Sequence, residues 1–328
     1  MIITKTPFRV SFCGGGSDMP DFYRENGGCV LSTTINRYMY LTIHPYFDEK
    51  KTALRYSQIE VVDDIKKIKH SIFHRVLNDM NVSGVEISST ADIPSGTGLG
   101  SSSAFTVGLL HTLHCYQGKF VSKEKIAAEA CNIEIEKLGN PIGKQDQYAS
   151  ACGGLNFIEF NKDDSVTVSP LILRSDLKSE LENNLIMFYT GITHDANVIL
   201  AEQKKNIISQ DDKTKNLIVM CNLARDIKAS LEAGELSDFG EILNEGWMRK
   251  RELASGVSNT RIDELYETAM ANGATGGKLL GAGGGGFLLF YCEKEKQKKL
   301  EEAVGLKQFI FEFENDGTSI AYIGNKYW

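Results

Sequence analysis

Apolar and β-branched residues crowd the first thirteen positions, MIITKTPFRVSFC, which predicts a strand, and Gly14-Gly15-Gly16 ends it. Two more runs, 29–35 and 38–44, read as strands, so the chain begins with a β-rich layer. Between 61 and 81 the charged sequence carries Ile65, Ile68, Ile72, Phe73, Val76 and Leu77 at helical spacing. A short strand at 85–88 leads into Asp92-Ile93-Pro94-Ser95. The stretch 104–116 is too apolar for a surface helix and, with Phe105, Leu109 and Leu113 one turn apart, predicts a buried one. Ser122 is suited to cap a helix over 123–138, with Glu124 in its first turn. The polar run Asn161-Lys162-Asp163-Asp164-Ser165 suggests a boundary that divides the chain into domains 1–165 and 166–328. Beyond it come a strand at 185–190, helices near 195–210, 215–233, 237–253 and 260–272, and strands at 287–292, 309–313 and 319–323. Strands and helices mixed without regular βαβ repetition predict an α+β class for both halves.

Composition narrows the function classes. The chain has 328 residues, 42% hydrophobic and 24% charged, which is the balance of a globular protein with room for one large or two ordinary domains. No apolar run approaches the roughly 20 residues that span a bilayer, and the N-terminus has no signal-peptide pattern. Seven scattered cysteines suggest free thiols in a reducing cytoplasm. A formal net charge of −7 argues against a nucleic-acid binder working through bulk electrostatics. The unusual quantity is glycine: 31 against six prolines, thirteen of them in three runs at 14–16, 96–100 and 276–286. Glycine clustered between hydrophobic segments points to backbone brought close to a ligand.

The second run, Pro94-Ser95-Gly96-Thr97-Gly98-Leu99-Gly100-Ser101-Ser102-Ser103, lies between a predicted strand and the buried helix. Glycines there can turn N–H groups toward a phosphate, and the helix N-terminus adds about half a positive charge. The alternative is a flexible turn with a serine cap. No Lys-Ser/Thr follows the last glycine, so the run is not a Walker A loop. Gly281-Ala282-Gly283-Gly284-Gly285-Gly286 fits the spacing of a dinucleotide fingerprint, yet a strand rather than a helix follows, which excludes the oxidoreductase reading. In the 123–138 helix, Glu134 falls on a mostly apolar stripe with Ala127, Cys131 and Leu138, where a carboxylate must be paired, metal-bound or at the edge of a cleft. The loop Gly139-Asn140-Pro141-Ile142-Gly143-Lys144-Gln145-Asp146-Gln147 presents Asp146 beside Lys144; by itself Asp146 reads as a turn or cap residue.

Together these segments resemble the GHMP family of small-molecule kinases, which includes galactokinase and the homoserine, mevalonate and phosphomevalonate kinases. The first family motif is similar to Pro7-Phe8-Arg9-Val10-Ser11-Phe12-Cys13-Gly14-Gly15-Gly16-Ser17-Asp18. The second, P-x-x-x-G-L-G-S-S, matches Pro94 to Ser102, and the third is similar to Lys278-Leu279-Leu280-Gly281-Ala282-Gly283-Gly284-Gly285-Gly286. The resemblance implies a two-domain fold: an N-terminal domain like ribosomal protein S5 domain 2 and a ferredoxin-like C-terminal domain, with the site in the cleft between them. It implies ATP and Mg²⁺ as cofactors. Pro94, Gly96, Thr97, Gly98, Leu99, Gly100, Ser101 and Ser102 would hold the ATP phosphates, and Ser102 and Glu134 the metal. Asp146 would be the catalytic base and Arg9 a cation near the transferred phosphate. Gly14, Gly15, Gly16, Ser17 and Asp18, with Gly283 and Gly284 of the third motif, would face the substrate.

The first motif also bears on the acceptor. Galactokinases carry Gly-Glu-His-Thr-Asp-Tyr where this chain has Gly14-Gly15-Gly16-Ser17-Asp18-Met19. Losing the acidic side chain and exposing backbone N–H groups suits a substrate that already bears a phosphate. The segment is similar to that of the heptose 7-phosphate kinase subgroup, as are Leu54-Arg55-Tyr56-Ser57 and Tyr189-Thr190-Gly191-Ile192-Thr193. Asp18 would then bind sugar hydroxyls, and Lys5, Arg24, Arg37 and Arg55 are candidates for the acceptor phosphate or simply solvated charges. Fucokinase-like enzymes, with a Gly-Gly-x-Ser-Asp segment and an unphosphorylated sugar, are the alternative. A non-catalytic sugar sensor would show damage at Arg9, Glu134 or Asp146, and none is present. An ATP-dependent decarboxylase disagrees with the sugar-kinase form of the first motif. The expected partners are ATP and a small sugar or sugar phosphate, without nucleic acid or membrane, in a monomer or homodimer. His70 and His74 have zinc-like spacing without an acidic partner, His111 and His114 are expected in the core, and His194-Asp195 is suited to face the cleft.

Overall fold

The computed structural model describes residues 1–193 and 196–324, so His194 and Asp195 lie outside the described residues. Two sheets organise the chain. The larger begins with β1 (Ile2–Cys13) and β2 (Gly28–Pro45), paired antiparallel along most of their length. The two runs expected at 29–35 and 38–44 are therefore one long strand, since nothing between them breaks an extended backbone. Further members are β3 (Thr52–Arg55), β4 (Ile59–Val62), β5 (Val85–Ala91), β6 (Asn156–Phe160) and β7 (Val166–Pro170). The smaller sheet has the order β8–β10–β9, from β8 (Leu185–Tyr189), β9 (Gly276–Leu279) and β10 (Phe287–Tyr291). The chain then returns: β11 (Phe313–Glu314) pairs with β2, and β12 (Ser319–Ile323) with β1. This is the expected α+β class.

Helices cover the sheets and carry the site. After α1 (Pro20–Asn26) and α2 (Ser71–Met80) comes α3 (Ser101–Tyr116), buried as its composition predicts. It lies on β1 and β2, with Gly108 letting its backbone approach Thr6 and Leu41. α4 (Lys123–Cys131), capped by the Ser122 hydroxyl, runs into a π-helical turn at Asn132–Lys137. α5 (Gln145–Cys152) and α6 (Ser175–Asn184) follow, then α7 (Ala196–Ser209), α8 (Asp211–Ala233) and α9 (Phe239–Arg251). With α10 (Thr260–Ala271) and α11 (Lys294–Val304), α9 helps enclose a second core around Phe188, Trp247, Tyr266 and Phe290. No described helix is long and apolar enough to cross a membrane.

Three expectations change. The predicted helix over 61–81 is a strand end, one tight turn at Ile65–Lys67, and α2. Acidic side chains take the backbone donors that a continuous helix would need. Asp64 accepts from the Lys66 N–H, and Glu60 from the N–H groups of Lys69 and His70. The polar run at 161–165 is the turn between β6 and β7, with Asp164 in the left-handed region, so the large sheet takes strands from both sides of residue 165. The stretch 309–313 is not a full strand. It crosses between the sheets, giving the Phe309 N–H to the Met187 carbonyl before pairing with β2 at β11.

Candidate active site

The second glycine run leaves the sheet after β5 and enters α3. Gly96, Gly98 and Gly100 have φ of 74°, 85° and 78°, left-handed values that alternate along the loop and that glycine adopts without strain. Gly98 cannot be replaced: a Cβ there would overlap the Leu280 carbonyl of the third glycine run. Gly281 in turn packs backbone to backbone on Gly98. The two runs thus build one element, and the first lies across a cavity of about 240 Å³ from them.

Arg9, on β1 and 4% exposed, spans this junction. Its Nε donates to Asp146 Oδ1 and its Nη2 to Asp146 Oδ2, both at 2.7 Å, while Nη1 donates to the Gly98 carbonyl at 2.6 Å. Such a bidentate pair fixes the carboxylate plane. Asp146 sits in the first turn of α5, where a negative charge is favoured by the helix dipole. The expected loop therefore ends at Lys144, and Lys144 turns away, over the Tyr23 ring and toward Asp164.

Glu134 is fully buried, turned inward by the π-helical turn. It accepts from the Ser102 hydroxyl at 2.9 Å and from Gln147 Nε2 at 2.7 Å. Burial raises its pKa against the pull of these hydrogen bonds, and Asp146 adds repulsion. A carboxylate and a hydroxyl beside the glycine loop are hard oxygen donors, the set that suits Mg²⁺, so these residues fit the implied ion. Among the described residues no group of three His, Cys, Asp or Glu could hold a metal. His70 instead caps α2, its Nδ1 accepting from the Phe73 N–H.

In the first glycine run, Gly14 packs against the Cys29 carbonyl, and Ser17 Oγ exchanges hydrogen bonds with Cys29 N and O; these two hold the turn on β2 and do not line the cavity. Gly16 and Asp18 do line it. Asp18, 2% exposed, accepts from the N–H groups of Gly16 and Gln145 and from Gln145 Nε2, so it ties the first run to the start of α5. Burial raises its pKa.

Residues 65–154 match the GHMP kinases N terminal domain, and residues 227–310 the GHMP kinases C terminal domain. Over 322 residues the chain is 33% identical to D-glycero-alpha-D-manno-heptose 7-phosphate kinase of Campylobacter jejuni, covering 94% of each. The chain belongs to the GHMP kinase family. It is 28% identical over 326 residues to a bifunctional fucokinase/GDP-fucose pyrophosphorylase of Arabidopsis thaliana, covering 90% of this chain and 31% of that protein. A crystal structure of a D-glycero-D-manno-heptose 1-phosphate kinase from Bacteroides thetaiotaomicron superposes with a TM-score of 0.82 at 25% identity, covering 99% of this chain and all of the other. These matches put the chain among the sugar kinases of the family.

Within this GHMP kinase, the cavity brings together Arg9, Gly16, Asp18, Gly96, Gly98, Gly100, Ser101, Ser102, Glu134 and Asp146. Pro94, Thr97 and Leu99 do not line this cavity: Pro94 faces a neighbouring one, Thr97 Oγ1 donates to the Pro94 carbonyl, and the Leu99 carbonyl accepts from the Arg9 N–H. Gly15 lies beside the cavity, a Cβ there falling 3.6 Å from Lys250 Nζ. Gly283 and Gly284 pack on Val257, away from the cavity. All four cations considered for an acceptor phosphate are engaged elsewhere: Lys5 with Glu314, Arg24 with Asp164, Arg55 with Glu86, and Arg37 with carbonyls of Asn36 and Ile310. None lines the cavity.

Five lining residues have no counterpart in the sequence analysis: Ala196, Asn197, Leu200 and Gln203 from α7, and Lys250 from α9. Gln203 is fully buried with neither carboxamide atom bonded, and its amide lies against Gly16, whose φ of 102° favours glycine. A signal existed for Lys250. Leu243, Trp247 and Lys250 share one helical face, and a lysine in line with two large apolar residues is a candidate for burial.

Proposed function

We propose that this GHMP kinase transfers the γ-phosphoryl group of ATP to the anomeric hydroxyl of a sugar phosphate, converting D-glycero-D-manno-heptose 7-phosphate to its 1,7-bisphosphate. The observation that carries this reading is the Arg9–Asp146 pair, set in one cavity with the Gly96–Gly100 loop on one side and the Gly16–Asp18 turn on the other. The acceptor class rests on the similarity to the Campylobacter jejuni enzyme over nearly the whole chain.

In this reading the N–H groups of the Gly96–Gly100 loop and the α3 N-terminus hold the ATP phosphates. A neighbouring cavity of about 690 Å³ shares Gly96, Ser101 and Ser102 with the first and is lined by Met39, Tyr56, His70 and Phe105; this apolar, aromatic pocket takes the base and ribose. Glu134 and Ser102 would hold Mg²⁺, which when bound would supply positive charge to the ATP phosphates. Asp146 accepts the proton of the acceptor hydroxyl as that oxygen bonds to the γ-phosphorus. The bond from that phosphorus to the bridging oxygen breaks, and ADP departs. Arg9 keeps the carboxylate in line and offers positive charge to the transferring group.

A second reading has its own observation. No described cation besides Arg9 and Lys250 lines the cavity, which favours an unphosphorylated acceptor, as in a fucokinase-like enzyme. A coupled assay on heptose 7-phosphate, fucose, galactose and arabinose separates the two. The heptose phosphate is expected to have the highest kcat/KM, and turnover restricted to unphosphorylated sugars would overturn that choice.

A further inference from the structure

Lys250 is 6% exposed at the end of α9, facing the same cavity as Arg9, Asp18 and Asp146. Its Nζ donates to the Gly281 carbonyl at 2.8 Å, and one hydrogen bond leaves two ammonium donors. Among the described residues no carboxylate stands within ion-pair distance of it. A buried charge without a counter-ion is costly unless an anion joins it. Its anchor is informative, because Gly281 packs on Gly98, whose carbonyl anchors Arg9. The two cations are therefore fastened to adjoining loop segments of one backbone junction beside the second glycine run.

We infer that Lys250 is a second catalytic cation, supplied by the second half of the chain, which contacts the transferring phosphoryl group beside Arg9. This rests on the kinase reading above. Lys250 keeps its proton throughout; the acceptor proton goes to Asp146 and the leaving electrons to ADP. A charge aimed at the transferring group acts mainly in the transition state, so its loss appears in kcat.

The groups facing Lys250 are Asp18, Asp146, Arg9, Cys13 and Lys278. Burial outweighs the two carboxylates and brings the Lys250 pKa down to about 8 in the free enzyme. Since kcat/KM reports the free enzyme, it should fall above pH about 8 as the ammonium is lost. An arginine stays charged there.

The test uses the full chain with the sugar that the wild type turns over best, comparing Lys250→Met and Lys250→Arg. Lys250→Met is expected to lower kcat about 100-fold or more, with the KM for ATP within threefold. Lys250→Arg should recover at least tenfold over Met and keep its kcat/KM flat beyond pH 9. Folding of each variant is checked by ATP binding, and the wild-type pH profile needs no variant at all. A Met variant within threefold of wild-type kcat, a loss confined to acceptor KM, or a wild-type kcat/KM level from pH 7.5 to 9.5 would each overturn the inference. Should the wild type turn over none of the sugars, the kinase reading falls, and this one with it; an active wild type with an unaffected Met variant removes Lys250 alone.

Discussion

Asp146→Asn lowers kcat by about 10²–10⁴-fold while leaving ATP affinity nearly intact, the loss expected when a general base is removed. Asparagine is the cleaner variant. Its amide oxygen still accepts one hydrogen bond from Arg9, and the side-chain shape is unchanged. Asp146→Ala would strip both bonds from a guanidinium only 5% exposed and so mix catalysis with folding. Steady-state kinetics with a calorimetric ATP titration separate the effects. A variant that retains more than about a tenth of wild-type kcat takes Asp146 out of the base role.

Glu134→Gln gives the second large effect, and in it stability and activity move apart. Burial holds the Glu134 carboxyl above the usual carboxylate range. An acid whose folded pKa exceeds its unfolded one binds protons more tightly when native, so at neutral pH the ionised group weighs against the fold. The amide removes that cost and can still bond Ser102 and Gln147, since it offers one acceptor and one donor in the same shape. Without nucleotide, the Tm should therefore equal or exceed that of the wild type. Activity should fall about 100-fold, with a higher Mg²⁺ concentration needed for half-maximal rate. Full activity at ordinary Mg²⁺ would remove Glu134 from the metal role. A large drop in Tm would make its role that of a core hydrogen-bond acceptor.

Much of the fold was legible because its signals are local. A run as apolar as 104–116 has nowhere to go but the core, and the structure buries it as α3. The helix expected over 61–81 failed for a reason that is only partly local. Glu60 reaches the N–H groups of Lys69 and His70, nine and ten residues on, and spacing within a helix cannot register such a capture. Similarly, the polar run 161–165 reads as a domain boundary by composition, yet the pairing of β6 with β7 makes it a hairpin turn.

For the site, the residues themselves marked the three glycine runs and Glu134, because close approach of backbone demands glycine and a carboxylate on an apolar stripe demands a reason. Arg9 and Asp146 carry no such mark and entered through the resemblance of the ordered motifs to the GHMP kinases. Tertiary structure decided what those residues face. It turned Lys144 away from Asp146, engaged Lys5, Arg24 and Arg55 with carboxylates and Arg37 with carbonyls outside the cavity lining, and set Gly283 and Gly284 against Val257. It also brought Gln203 and Lys250 to residues more than a hundred positions away. Contacts of that kind depend on how α7 and α9 pack over the first half of the chain. Helix packing is set by the whole apolar surface, so no single residue in the sequence announces its partner.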